Sequence, residues 1–127
     1  MTTKNLWPEF SSSETEAASP KEVIQRAGDG LKERTNGLVE FTLMHTSVAD
    51  GNVHIVFSLY TPRISYMYPF LTAHFPVVGM YPVQLDVDKT SAPVMALDEE
   101  RLVESLARIF NSESTVSTIR QLMALSK

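Results

Sequence analysis

The sequence predicts an α+β fold: an N-terminal helix, a four-stranded antiparallel meander, and two C-terminal helices packed on one sheet face. Three observations predict it. Apolar residues recur at helical spacing after residue 19 and again after residue 97, and between them residues 38–48, 53–61 and 80–88 show the two-residue alternation of strands. Only short turn sequences separate these strands, as expected for a meander.

One domain is expected, because 127 residues and 14.2 kDa can form a single core without disulfides. We assign the domain to residues 19–127. Residues 1–18 are rich in Ser, Thr and Glu, and we expect them to form a disordered or loosely docked tail. Leu6, Trp7 and Phe10 are exceptions there; we expect them to dock on the domain's own surface, with a short partner-binding motif as the alternative.

The first helix has a strong start signal. Ser19 is expected to cap it, Pro20 suits the first helical position, and Glu22 completes a capping box. Asn36-Gly37 is expected to end it. The apolar stripe of this helix consists of Val23, Ile24, Ala27 and Leu31.

The first two strands, 38–48 and 53–61, are predicted to flank a turn at Ala49-Asp50-Gly51. A one-residue slip in register moves every side chain to the other face. The apolar residues of both strands therefore share a face only with a three-residue loop, which we predict with its glycine in the left-handed conformation. That register puts His45 and His54 on opposite faces, so they cannot share a metal ion. The face opposite the helices would carry Thr42, Met44, Thr46, His54, Val56 and Tyr60.

The third strand, predicted at 64–75, is the most distinctive segment. It opens the longest uncharged run of the chain, Ile64 to Leu85, and is apolar on both faces. Pro69 lacks a backbone donor, so the strand must lie at an edge or bend there. A membrane span is rejected because three prolines and a glycine interrupt the run. The fourth strand, Met80 to Asp88, alternates cleanly, and residues 89–97 are expected to form a linker.

Two helices are predicted after this linker. Asp98 is expected to cap the first and Asn111 to end it, and Ser112 or Ser114 starts the second. The first would bury Leu102, Val103, Leu106, Ile109 and Phe110, and the second Val116, Ile119, Leu122 and Met123.

Composition and motifs exclude several classes of function. The net charge is −4 at pH 7 and the pI is about 5.3, so the basic field of a nucleic-acid-binding protein is missing. The absence of cysteine excludes disulfides and thiolate metal sites and fits a cytoplasmic protein. We find no nucleophile elbow, phosphate loop or metal-binding motif, and therefore assign no catalytic residue, no metal and no cofactor.

The aromatic third strand supplies the candidate binding residues, because tyrosines present a large rigid area with a polar group at binding surfaces. We expect a non-enzymatic protein-protein interaction module, immunity-, adaptor- or chaperone-like in role. It would bind a protein partner or a second copy of itself through this strand and the mixed sheet face. The residues expected to bind are Tyr60, Tyr66, Tyr68, Phe70 and His74.

Two other functions stay open from the sequence. The alternative is a small apolar ligand in a pocket of roughly 300 Å³ or more between sheet and helices. An enzyme is the third hypothesis, and it would need a deep cleft that brings His45 or His74 near Asp86 or Asp88.

Overall fold

Four α-helices, a short 3₁₀ helix at Pro62–Ile64 and five strands make up the computed structural model, which describes residues 6–9, 18–88 and 92–127. The helices are α1 (Pro20–Gly28), α2 (Leu31–Arg34), α3 (Glu99–Phe110) and α4 (Glu113–Leu125), and the strands are β1 (Glu40–Ala49), β2 (Asn52–Thr61), β3 (Tyr66–Pro76), β4 (Val83–Val87) and β5 (Val94–Ala96). The strands form one antiparallel sheet in the order β1-β2-β3-β4-β5. The α+β meander is therefore confirmed, with β5 as a fifth strand in the segment that the sequence assigns to a linker.

Helix starts lie where the sequence predicts them. The side chain of Ser19 accepts a hydrogen bond from the Glu22 amide at 3.2 Å. Asp98 does the same for α3, with 2.8 Å between its Oδ1 and the amide nitrogen of Arg101. Ser112 caps α4. Each cap satisfies a backbone donor that the first turn of a helix leaves without a partner.

The N-terminal helix is interrupted, whereas the sequence predicts one helix as far as Asn36. α1 ends at Gly28, and α2 begins only at Leu31. A Cβ atom on Gly28 would overlap the ring of Phe41, so the helix approaches β1 as closely as a glycine permits. Two glycines within three residues also weaken the helix there, since each lowers helix propensity by about 1 kcal/mol relative to alanine.

The turn between β1 and β2 has two residues, and the predicted three-residue loop is wrong. Ala49 pairs directly with Asn52. The loop residues Asp50 and Gly51 have φ values of 52° and 76°. Two consecutive positive φ values are those of a type I′ turn, whose twist matches that of the flanking strands.

With a two-residue turn, the apolar residues of β1 and β2 would face opposite sides of the sheet unless the register changed within a strand. That change of register occurs inside β1. Pairing shifts between Leu43 and His45, which leaves Met44 as the extra residue of a β-bulge. The bulge brings the apolar residues of both strands to one face, as the longer loop would have done. It also turns His45 to the same face as His54 and moves Thr46 to the opposite face, so the predicted positions of His45 and Thr46 are wrong.

β3 carries a bulge next to Pro69, where the sequence predicts an edge or a bend. Its pairing with β2 shifts between Phe57 and Ser58, which leaves Phe70 in a bulge. β4 pairs only with residues 71–74 of β3, so Pro69 lies at a local edge where its missing donor costs no ladder bond. The bulge explains why consecutive residues are apolar: Phe70 and Leu71 are 5% and 1% exposed.

The core lies between the sheet and the helices. Phe41 stacks on Phe57 with ring centroids 5.1 Å apart and meets Phe110 of α3 edge to face at 5.5 Å. Val103 is 49% exposed, so its predicted place in the buried face of α3 is wrong. The other buried core residues include Ile24, Val39, Ile55, Leu59, Leu71, Ala73, Val83, Leu85, Leu102 and Leu106.

The predicted tail is described only at residues 6–9 and 18. Leu6 and Trp7 are 88% and 77% exposed, so neither enters the core. Phe10 and the rest of the predicted tail lie outside the described residues, as do residues 89–91 of the predicted linker.

Candidate functional site

The sheet has one face covered by helices and one face without cover from the described elements. We call the second the open face. It consists of Glu40, Thr42, His45, Ser47, His54, Val56, Tyr60, Met67, Pro69, Thr72, His74, Gln84, Asp86 and Met95, while Ser58 alternates to the same side but is buried. These positions follow from strand alternation, corrected for the two bulges.

A row of polar side chains crosses the open face. His54 and His74 are directly opposed on β2 and β3, and their rings meet edge to face with centroids 4.3 Å apart. Nε2 of His74 lies 3.1 Å from Oδ2 of Asp86, and Nε2 of Gln84 donates to the same carboxylate at 3.1 Å. The side chains of His74 and Asp86 are 35% and 41% exposed. The His–Asp contact that the enzyme hypothesis requires is therefore present, but on a solvent-accessible sheet face.

This row does not assemble a catalytic set. Ser47 is the cross-strand neighbour of His54, whereas the carboxylate of Asp86 contacts His74. A serine nucleophile needs one imidazole that reaches both the hydroxyl and the orienting carboxylate. Here those two contacts fall on different rings. Among the described residues, no three His, Cys, Asp or Glu side chains form a group that could hold a metal ion.

The five predicted binding residues lie in three places. Tyr60 and His74 are on the open face. Phe70 is buried in the core. Tyr66 and Tyr68 point to the other side of β3 and line a groove against α4. Alternation along β3, together with its bulge, separates these neighbours in sequence.

The groove beside α4 has a volume of about 400 Å³. One wall contains Tyr66 and Tyr68 of β3 with Ile64 just before the strand, and the α4 wall includes Leu122 and Leu125. The Tyr68 hydroxyl donates a hydrogen bond to Oδ2 of Asp88. That bond, with a smaller contribution from burial, raises the pKa of Tyr68 to about 12.

A separate pocket, which we call the helix pocket, lies between the helices and the sheet. Its volume is about 260 Å³, just below the roughly 300 Å³ expected of a ligand pocket. The lining residues are Ala27, Gly28, Gly30, Leu31, Arg34, Phe41, Leu59, Phe70, Phe110, Thr115 and Ile119.

Sequence reasoning missed the contribution of several residues to these surfaces. Met67 and Met95 are 37% and 50% exposed on the open face. Met95 alternates with the more buried Val94 and Ala96, which is a strand signal within the predicted linker. Arg34 lines the helix pocket, and nothing in the spacing of the sequence indicates it, because the pocket is lined by helices and strands that are far apart in the chain.

Comparison of the chain with protein-family models, with curated proteins and with solved structures found no match. Among the described residues, no helix combines the length and the apolar character required to cross a bilayer.

Proposed function

We propose that this protein is a non-enzymatic protein-binding module whose open face receives the partner. The observation that carries the proposal is the distribution of charge. None of the five strands contains Lys or Arg, and the only Asp or Glu residues of the open face are Glu40 and Asp86. A solvated face of an antiparallel sheet is ordinarily polar, whereas charged residues are depleted at the centre of an interface.

Apolar side chains occupy the positions between the polar groups. Val56 and Tyr60 are half-buried, and Met67, opposite Tyr60 on β3, is exposed. Met95 extends this apolar surface towards the β5 edge. Methionine adapts its shape to a partner, and tyrosine adds rigid area with a polar group, so both suit a docking surface.

The open face is large enough for a specific complex. With strands about 4.8 Å apart and a rise of about 3.3 Å per residue, β1–β3 alone cover roughly 470 Å². Together with β4 and β5, two such surfaces bury roughly 1,000 Å² or more, which is about the least area expected of a specific interface.

Charge indicates the chemistry of the partner. Glu40 and Asp86 lie at different places on the open face, and the chain as a whole carries a net charge of −4. We infer a protein partner with a flat apolar patch flanked by basic residues, because complementary charges orient an encounter. A second copy of this chain is disfavoured, since two acidic molecules repel one another.

Such a role is adaptor-, chaperone- or immunity-like, and we place the protein in the cytoplasm, with which the absence of cysteine is compatible. Fractionation of the source cells checks the compartment. Recovery in a secreted fraction contradicts it.

Co-purification from the source cells tests the binding function. The bait is the full chain in three forms: wild type, Met67→Lys on the open face, and Val103→Lys on the exposed side of α3. Both substitutions place a lysine at an exposed apolar position, on opposite layers of the domain. Light scattering of each purified form measures self-association.

We expect to recover a basic partner. Wild type and Val103→Lys should bind it with equal affinity, and Met67→Lys should bind it at least about tenfold more weakly. Amide hydrogen exchange in β1–β3 should slow when that partner is added. A partner indifferent to Met67→Lys, or protection confined to the helices, contradicts the proposal. A wild-type dimer that Met67→Lys dissociates shows instead that the open face binds a second copy.

A further inference from the structure

The helix pocket has aromatic and aliphatic walls. Phe41 and Phe70 contribute from the sheet and Phe110 from α3. Leu31 of α2 and Ile119 of α4 close two other sides. An apolar cavity of about 150 Å³ accommodates benzene, so about 260 Å³ accommodates roughly ten non-hydrogen atoms.

One charged side chain is among the residues that line this pocket. Arg34 is the last residue of α2, and it is exposed. Among the described residues it forms no ion pair. Its guanidinium therefore has donors available at the mouth of an apolar cavity, and a planar guanidinium matches a carboxylate through two parallel hydrogen bonds.

Two glycines are among the residues that line the pocket. Gly28 lies against the Phe41 ring with no room for a side chain, and Gly30 has open space where a Cβ would stand. Phe41 is held in turn by Phe57 and Phe110, with centroids 5.1 Å and 5.5 Å away. The floor of the pocket is therefore formed before any ligand arrives, which lowers the entropy lost on binding.

We propose that the helix pocket binds a small apolar monocarboxylate of roughly ten non-hydrogen atoms, with the apolar body among the phenylalanines and the carboxylate on Arg34. The site lies on the helix side of the sheet, apart from the open face, and does not depend on the function proposed for that face. Apolar burial supplies most of the affinity, and the ion pair selects an acid over a neutral molecule of the same shape.

Calorimetric titration of the full chain tests the proposal with two acids, octanoate and hydrocinnamate, which separate a linear body from an aromatic one. Octanol and hydrocinnamyl alcohol serve as neutral counterparts. The variants are Arg34→Gln, which removes the charge, and Ala27→Phe, which fills the rim at an exposed helix position. Arg26→Gln is the matched control, an exposed arginine of α1 that does not line the pocket. Circular dichroism confirms that each variant is folded.

We expect at least one acid to bind wild type and Arg26→Gln with the same affinity, about five- to tenfold more tightly than its alcohol. Arg34→Gln should remove that preference, and Ala27→Phe should abolish binding of acid and alcohol alike. Methyl signals of Leu31, Leu59 and Ile119 should shift on titration. Equal affinity for acid and alcohol, insensitivity to Arg34→Gln or Ala27→Phe, or no binding at about 5 mM of either acid overturns the proposal.

Discussion

The imidazole rings of His54 and His74 meet edge to face across β2 and β3, with centroids 4.3 Å apart. The contact reports the register of the sheet, because a one-residue slip would turn one of the two rings to the opposite face. His74 also contacts Asp86 of β4 at 3.1 Å, so the two interactions tie three strands together on the open face. The side chains of His74 and Asp86 are partly exposed, so their contact contributes little to stability.

Substitutions on opposite faces of β3 should differ in their effect on the free energy of unfolding. His74→Ala should cost less than about 1 kcal/mol in the free energy of unfolding, because a partly exposed polar contact contributes little. Leu71→Ala, at a position 1% exposed, should cost about 2–5 kcal/mol. Urea unfolding monitored by circular dichroism measures both. Similar costs for the two would contradict the assignment of the open face.

The two glycines that flank the break between α1 and α2 should respond oppositely to alanine. Gly28→Ala should destabilise the fold by about 1–3 kcal/mol, because the new methyl group overlaps the buried Phe41 ring. Gly30→Ala should stabilise it by about 0.4–1 kcal/mol, since φ there is −71° and nothing lies within contact of the new atom. Thermal melts of the two variants and of wild type measure these changes. A shift in melting temperature of the same sign in both variants would be evidence against this geometry.

The turn between β1 and β2 gives a second backbone test. Gly51→Ala should lower the free energy of unfolding by about 1–2 kcal/mol, because φ at this position is 76°. Asp50→Asn should raise it by a few tenths of a kcal/mol, since Asn-Gly is a favoured pair in a type I′ turn. In a three-residue loop Asp50 would have a negative φ, so replacing it with asparagine would bring no gain. A null result for Asp50→Asn together with a large loss for Gly51→Ala would therefore favour the loop predicted from the sequence.

The hydrogen bond from Tyr68 to Asp88 should make stability depend on alkaline pH. It needs the phenol proton and raises the pKa of Tyr68 from 10.0 to about 12 in the folded state. A folded-state pKa above the unfolded value means that the stabilisation is complete below pH 10 and is lost as pH rises through 12. Tyr68→Phe should therefore cost about 1 kcal/mol or less at neutral pH, and that cost should shrink at high pH.

Urea unfolding of wild type and Tyr68→Phe at several pH values measures this dependence. Tyr66→Phe is the control, because Tyr66 lines the same groove without a described hydrogen bond from its hydroxyl. A gap between wild type and Tyr68→Phe that stays constant up to about pH 12 would show that the tyrosine proton does not take part.

Local patterns in the chain suffice for most of the architecture. Helix caps at Ser19, Asp98 and Ser112 depend on side chains that reach a backbone amide three residues away, so sequence spacing alone predicts them. Apolar alternation in the sequence predicts the strands. It also predicts that the apolar residues of β1 and β2 share one face of the sheet, and in the structure they do. The sequence could not show how this is achieved, because a bulge at Met44 and a longer loop correct the register equally well.

The candidate binding surfaces were decided by tertiary structure. The sequence selects Tyr60, Tyr66, Tyr68, Phe70 and His74 as aromatic or polar residues around one strand. Their division among the open face, the α4 groove and the core depends on pairing with β2 and on where β4 ends.

The order of residues along the chain determined that the strand segments carry no Lys or Arg, and local spacing determined the α+β class. Only the packed structure decided which uncharged positions face away from the helices. It also decided that Arg34 lines an apolar pocket formed by segments far apart in the chain. The physical reason is range: caps and alternation depend on neighbours a few residues away, whereas faces and pockets depend on the register of distant strands and the packing of distant helices.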